Sequence, residues 1–311
     1  MTNLRNNTAQ LTSIHPDYPL FLWPMFILRF LSHWPLSWLY ALADFAAFVS
    51  SYIVRYRRKT IEENLRKSFP EKSSQEIRQI RQDFYHNLAD ISVETLYGRT
   101  ISVKEMKRRV EFDGMEIIEK YYQQRQSIII LATHQCNWEW LLLAGCLRLP
   151  YPVDAMYKKL ANSNMDDFMY SIRSRFEGKP INKDHAARAI LKRKHETRAI
   201  AVVADQTPSI HTPKDWITFL HQKTGFYQGV EQLPRLTKYP VVFAAMYRIS
   251  RGCYRVQFQE ISEPPYDEKT QILSHYVALA ETVIRQQPAN WLWSHRRWKY
   301  TDPSTPNVSG R

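Results

Sequence analysis

The sequence predicts an α/β protein with a largely parallel central sheet flanked by helices, preceded by an N-terminal helical membrane-anchoring region. Two features predict the α/β core: short β-rich apolar runs alternate with amphipathic helical stretches, and the run SIIILAT is apolar throughout, as a strand buried on both faces requires. A third predicts the anchoring region. The most apolar, Trp-rich part of the chain comes first and ends in the basic cluster RYRRK.

The chain of 311 residues suits one large domain or two modest ones. With 44% apolar, 13% aromatic and 23% charged residues, a disordered or collagen-like chain is excluded. Cys136, Cys146 and Cys253 are too few and too scattered for a disulfide framework or a zinc cage, so a reduced, cytosol-facing protein is expected. Against 30 Asp+Glu stand 43 Lys+Arg, a net charge of +13 that calls for an anionic partner: nucleic acid, an anionic membrane surface, or a phosphorylated or acidic substrate. The nine Trp, 18 Tyr and 14 Phe fit a membrane interface as well as they fit a stacker of bases.

Residues 18–54 form the apolar stretch, interrupted by Pro24, Arg29, His33, Pro35 and Asp44, so no uncharged run reaches the length of about 20 that a spanning helix needs. Residues 1–17 are polar and lack the basic start of a cleavable signal peptide. Arg55, Arg57, Arg58 and Lys59 follow, the pattern of a helix held at a cytoplasmic membrane face. A buried helix of a soluble core over 35–54 is the alternative, and spanning or surface-lying geometry is open.

Further along, Ile77, Ile80, Phe84, Leu88, Ile91 and Thr95 recur at steps of three and four and predict a helix over 73–98. Strands are expected at 127–133, 153–156, 199–204, 241–246 and 254–258. Helices are expected at 138–147 (capped by Asn137), 164–176, 185–194, 229–237 and 271–287. There is no internal repeat, P-loop or GxGxxG fingerprint.

Chemistry is most visible in LATHQCNWEW. Reactive groups of open α/β sheets gather at the carboxyl ends of strands, and His134 there has a side chain suited to general-base work near neutral pH. Glu139 lies five residues on, a rotation of roughly 140° on one continuous helix. Pairing the two therefore requires His134 in the turn and Glu139 in the first helical turns, where the carboxylate would hold and charge-stabilise the imidazole. A structural, helix-capping histidine is the alternative. Cys136 as nucleophile and a His134/Glu139 metal site are weaker readings, since residues two apart rarely converge and the spacing is not that of an HExxH helix.

HQCNWE is an HX4E motif. With SIRSRFEGKPI, ADQTP after a strand, FLHQKTGFYQGVEQLPRLTKYPVV and WLWSHRRWK in that order, the chain resembles the lipid A biosynthesis (HtrB/LpxL-type) branch of the lysophospholipid acyltransferase superfamily over about 20–299. One departure is His221 in FLHQKT, where the family usually has glycine. The resemblance implies a glycerolipid acyltransferase-like fold with a polar tail (1–17), an anchoring segment (18–60), an acyltransferase domain (61–300) and a C-terminal tail (301–311). It implies transfer of a fatty acyl group from acyl-acyl carrier protein to a hydroxyl of a phosphorylated, Kdo-bearing lipid A precursor, at the cytoplasmic face of a bacterial inner membrane. No cofactor, metal or nucleic acid is implied.

His134 would be the base and Glu139 its orienting partner. Arg173 and Arg175 would meet phosphate or oxyanion charge, with a solvated helix face as the plain alternative. Asp205, at a second strand end, would position an arginine or the acceptor sugar, or act as a cap. Lys158 would touch anionic lipid. In WLWSHRRWK the Trp rings would stack bases, sit among headgroups, or pack on the core. Other acceptors (a lysophospholipid, aminolipid or glycolipid, from acyl-acyl carrier protein or acyl-CoA) share HX4E, and a non-catalytic basic membrane- or nucleic-acid-binding protein is the alternative from another class.

Overall fold

In the computed structural model, residues 23–300 and residue 302 are described; the expected tails at 1–17 and, apart from Asp302, at 301–311 lie outside the described residues. The described residues begin with helices α1 (Trp23–Leu31), α2 (Leu36–Phe48, continued by one π-helical turn at Val49–Ile53), α3 (Arg58–Ser68), α4 (Ser74–Tyr97) and α5 (Val103–Arg109). The core follows as β1 (Val110–Asp113), α6 (Met115–Gln123), β2 (Ile128–Ala132), α7 (Trp138–Arg148), β3 (Val153–Tyr157), α8 (Ser163–Arg173) and β4 (Lys179–Asn182). Then come α9 (Ala186–Lys192), β5 (Ala199–Val203), β6 (Lys214–Phe219), β7 (Gln222–Tyr227), α10 (Gly229–Thr237), β8 (Val241–Ser250), β9 (Cys253–Ser262) and α11 (Ile272–Gln286).

Among the described residues, seven strands form one sheet in the order β1-β9-β8-β2-β5-β3-β4, and β6–β7 is a separate hairpin. Strands β8, β2, β5, β3 and β4 are mutually parallel; β9 runs antiparallel to β8, and β1 runs parallel to β9. The sheet is thus largely parallel, as the alternation of elements predicted. Its central strand shows why SIIILAT has no polar alternation. Ile129 and Leu131 enter one core with α3, α4, α9, α10 and α11, while Ile128, Ile130 and Ala132 enter the other with α2, α5, α6, α7 and α8. Helices on both faces leave no side of this strand for water.

The expected α4 is set by a capping box: Ser73 Oγ accepts from Glu76 N at 3.3 Å, and Glu76 Oε2 accepts from Ser73 N at 2.8 Å. Asn137 caps α7 as expected, its Oδ1 accepting from Trp140 N at 2.9 Å. Strands β1, β4, β6 and β7 were not anticipated. β4 (KPIN) is an edge strand with a proline and little burial, so it carries no apolar signal.

Helix α2 buries Leu36, Leu39, Ala43 and Ala47. Its remaining large side chains, Trp38, Leu42, Phe45 and Phe48, face outward, as do Tyr52, Ile53 and Val54 just beyond. The segment is therefore not the fully buried helix of a soluble core. It is long and apolar enough at 36–53 to cross a membrane, yet it is fastened to the body through Tyr40 Oη to Glu94 (2.8 Å) and Asp44 to Arg251 (2.7 Å).

The β6–β7 turn consists of Leu220 and His221, with φ of 47° and 64°, and pairs Phe219 with Gln222. Two consecutive positive φ values are what a two-residue hairpin turn of matching twist demands, and glycine meets the second at least strain. Leu220 is buried; His221 Nε2 faces Arg285 at 3.1 Å on the surface. Glycine at 221 is therefore expected to stabilise the protein by about 0.5–1 kcal/mol. Urea unfolding of His221→Gly checks this: a higher midpoint with an unchanged slope is the predicted result.

Candidate active site

The register of two adjacent parallel strands builds the site. Ala132 ends β2 opposite Val203, which ends β5, and Ala204 N donates to Ala132 O at 3.1 Å across the gap. Two residues past each of these ends stand His134 and Asp205, so equal offsets on paired strands bring them together. His134 Nδ1 lies 2.5 Å from Asp205 Oδ1, and His134 N donates to Asp205 Oδ2 at 2.9 Å. Trp291 Nε1 donates to the same Oδ2 at 2.6 Å.

Asp205 is 2% exposed. Burial alone would raise its pKa; the facing imidazole and the N–H donors of His134 and Trp291 outweigh burial and hold the carboxyl at about 2. The group is therefore an acceptor-only carboxylate at neutral pH. In the neutral ring the proton on Nδ1 faces this carboxylate, and Nε2 then has the lone pair. That nitrogen is met by Gln206 Nε2 at 2.9 Å, while the ring edge packs on Trp138 with centroids 5.0 Å apart.

The loop carrying His134 is clamped from behind. Gln135 bridges to Trp291, Gln135 Nε2 donates to Gln287 O at 3.0 Å, and Cys136 N donates to Asn290 O at 2.9 Å. Cys136 has φ of 54° and a buried thiol that burial pushes well up, with Sγ against Met246 O at 3.3 Å. A thiol so held is no nucleophile at neutral pH. The loop carrying Asp205 is fixed by Thr207, whose N donates to His295 Nε2 at 3.1 Å and whose Oγ1 donates to Arg297 O at 2.8 Å. Burial, reinforced by nearby cations, lowers the His295 imidazole to about 4, so it is neutral and able to accept.

Glu139 takes a different place from the one the spacing suggested. Its carboxylate faces Arg173, with Arg173 Nε to Oε2 at 2.9 Å and Nη2 to Oε1 at 2.5 Å, a two-point ion pair joining α7 to α8. The pairing expected between His134 and Glu139 is corrected accordingly: Asp205 holds the imidazole and Glu139 holds an arginine. His134 does stand in the turn before the cap at Asn137 and Glu139 in the first turn of α7, as the pairing required, but the Glu139 carboxylate points toward α8, where Arg173 meets it.

Arg175 is not part of this group. Its Nη1 and Nη2 donate to Gly98 O (2.6 Å) and Ile101 O (2.9 Å), satisfying carbonyls at the end of α4. Lys158 is exposed just past β3, the strand paired with β5. Trp291 and Trp293 are 2% and 0% exposed, so they pack on the core and cannot stack bases or reach headgroups. The residues that the spacing did not single out are Gln206 and Trp291 as partners of the His134–Asp205 pair. Gln206 stood inside ADQTP, one position past the strand-end aspartate, which was the available signal.

A histidine held against a buried carboxylate at the carboxyl ends of two paired parallel strands is an arrangement of side chains suited to general-base work in an α/β fold. The chain belongs to the bacterial lipid A biosynthesis acyltransferase family, whose model matches residues 8–300. It is also similar to the lipid A biosynthesis lauroyltransferase of Escherichia coli (strain K12), at 23% identity over 312 residues, covering 99% of each chain. Family and relative together indicate an acyltransferase with a lipid A or related lipid acceptor.

Two measurements probe the site's construction. The depressed pKa of Asp205 stabilises the folded state above the ordinary carboxylate pKa of about 3.9, and that contribution is lost as pH falls from there toward about 2. Denaturation at a series of pH values is expected to show this loss in the wild type. Asp205→Asn should lack it and be less stable at pH 7 by on the order of 2 kcal/mol. Likewise, Arg173→Met leaves the Glu139 carboxylate, 6% exposed, without its partner and should cost roughly 3–5 kcal/mol. Adding Glu139→Gln should recover most of that, read as a coupling energy in a double-mutant cycle.

Proposed function

We propose that this protein transfers a fatty acyl group from acyl-acyl carrier protein to the hydroxyl of a 3-hydroxyacyl chain on a phosphorylated, Kdo-bearing lipid A precursor, at the cytoplasmic face of the bacterial inner membrane. The observation that carries this reading is the His134–Asp205 contact of 2.5 Å, which leaves Nε2 as the one ring nitrogen able to receive a proton. Membership of the lipid A acyltransferase family supports the acceptor class.

In this reading the acceptor O–H gives its proton to His134 Nε2 while its oxygen attacks the thioester carbonyl. The tetrahedral intermediate collapses, the C–S bond breaks, and the departing sulfur takes the proton back from the imidazolium. Products are the new ester and the carrier thiol. Asp205 stabilises the transient imidazolium and keeps the ring from rotating, as the acid of a triad does. Glu139 fixes Arg173 by two of its nitrogens, leaving Nη1 for a phosphate or the developing oxyanion. Lys158, exposed past β3, adds positive charge for an anionic lipid.

The exposed aromatic and aliphatic face of α2, with Phe26 and Phe30 of α1, supplies the surface that meets the bilayer. Because its opposite face is fastened to α4, α2 lies along the protein body and dips into the membrane surface. Arg55, Arg57, Arg58 and Lys59 follow it at headgroup level.

The deciding experiment offers radiolabelled acyl-acyl carrier protein or acyl-CoA against a Kdo-bearing lipid A precursor and a lysophospholipid, using purified membranes. Label should pass from the carrier protein to the lipid A precursor. His134→Ala should lower turnover by about 10²–10⁴-fold without loss of fold. A folded His134→Ala protein with near-normal transfer would overturn the mechanism. Transfer to lysophospholipid alone would overturn the acceptor.

A further inference from the structure

The nitrogen that must receive the proton is already occupied. Asp205 accepts the hydrogen bond from Nδ1–H, so in the neutral ring Nε2 is an acceptor, and Gln206 Nε2 stands 2.9 Å from it. An amide NH2 is a donor, so the contact is a hydrogen bond into the very lone pair that an acceptor hydroxyl requires. His134 and Gln206 are each only partly buried, whereas Asp205 and Ala204 before them are buried. Gln206 follows a residue fixed by three N–H donors and precedes one tied to His295 and Arg297, so its backbone is held while its long side chain has rotamers to spare.

We propose that Gln206 is a displaceable stopper on the base: in the resting protein its amide covers His134 Nε2, and the lipid hydroxyl enters by taking its place. This rests on the acyl-transfer reading above. The stopper has a chemical purpose. An uncovered Nε2 would activate water against the thioester as readily as it activates a lipid hydroxyl. That side reaction breaks the C–S bond and yields free fatty acid and carrier thiol with no acceptor consumed. A hydrogen-bonded amide disfavours a lone water, while an acceptor lipid bound through its chains and phosphates can displace the amide using binding energy made elsewhere.

The test uses the full-length protein with Gln206→Ala and Gln206→Asn, whose shorter side chain cannot span the same distance. The reactivity of His134 toward diethyl pyrocarbonate, mapped by mass spectrometry, reads the cover on Nε2 with no substrate present. It should rise roughly two- to tenfold in both variants, the range that one neutral hydrogen bond spans. Release of free fatty acid from the thioester without lipid acceptor should rise by a similar factor, and the acceptor KM should fall.

Unchanged labelling of His134 in folded variants would overturn the stopper. So would a fall in kcat at unchanged acceptor KM, because the amide would then act during the chemistry instead of competing with the substrate. Faster labelling in variants of a protein that transfers no acyl group in its wild-type form would support the cover on Nε2 while sinking the acyl-transfer reading, so the two failures are distinguishable.

Discussion

Asp205 is the group on which the site depends. A carboxylate so deeply buried is tolerable only when its lone pairs are met, and here His134 N, His134 Nδ1 and Trp291 Nε1 meet them. Each of the three also fixes something else. The backbone donor sets the turn after β2, the imidazole donor sets the tautomer, and the indole donor ties the segment after α11 to the strand ends. Removing the anion would loosen all three together, because they share one acceptor.

The carboxylate can be satisfied because the strands beside it are parallel and in register. β2 and β5 pair from Ile128 with Ala199 to Ala132 with Val203, so both chains leave the sheet at the same level. Had β5 run antiparallel, its carboxyl end would lie at the far edge and His134 would face the start of the strand instead. Asp205 is buried and His134 only partly so, with Gln206 and Trp138 against its ring. The same logic recurs at Glu94. This buried carboxyl accepts from Tyr40, Asn137 and Tyr254, and so ties the N-terminal helix α2, the cap of α7 and β9 to one point. Burial raises its pKa, against the three hydrogen bonds that favour the anion.

The fold was legible where burial writes a pattern. The runs at β2, β5 and β8 are apolar on both faces, and α4 and α11 show the steps of three and four that a half-buried helix needs. Strand β4 and the β6–β7 hairpin were not legible, because an edge strand and a hairpin outside the main sheet are specified by pairing with the neighbour and show no regular apolar alternation of their own. In the site, His134 and the cap at Asn137 could be read from one strand-to-helix turn. The partner of His134 could not, because it lies 71 residues away and depends on which strand adjoins β2. Local spacing favoured Glu139, and the structure gives that carboxylate to Arg173. In the sequence Trp291 is a ring that could stack bases, sit among headgroups or pack on the core; its Nε1–H, the part that meets Asp205, is invisible until the C-terminal segment is placed.

The central claim is that Asp205 fixes His134 with its proton on Nδ1 and a lone pair on Nε2. Nitrogen-15 NMR of histidine-labelled protein at neutral pH measures this directly, with His134→Ala assigning the resonances. The account predicts a protonated Nδ1 strongly coupled to its hydrogen and a pyridine-like Nε2, with the pattern collapsing to mixed tautomers in Asp205→Asn. A His134 ring that carries its proton on Nε2 in the wild type, or one indifferent to the loss of Asp205, would contradict it.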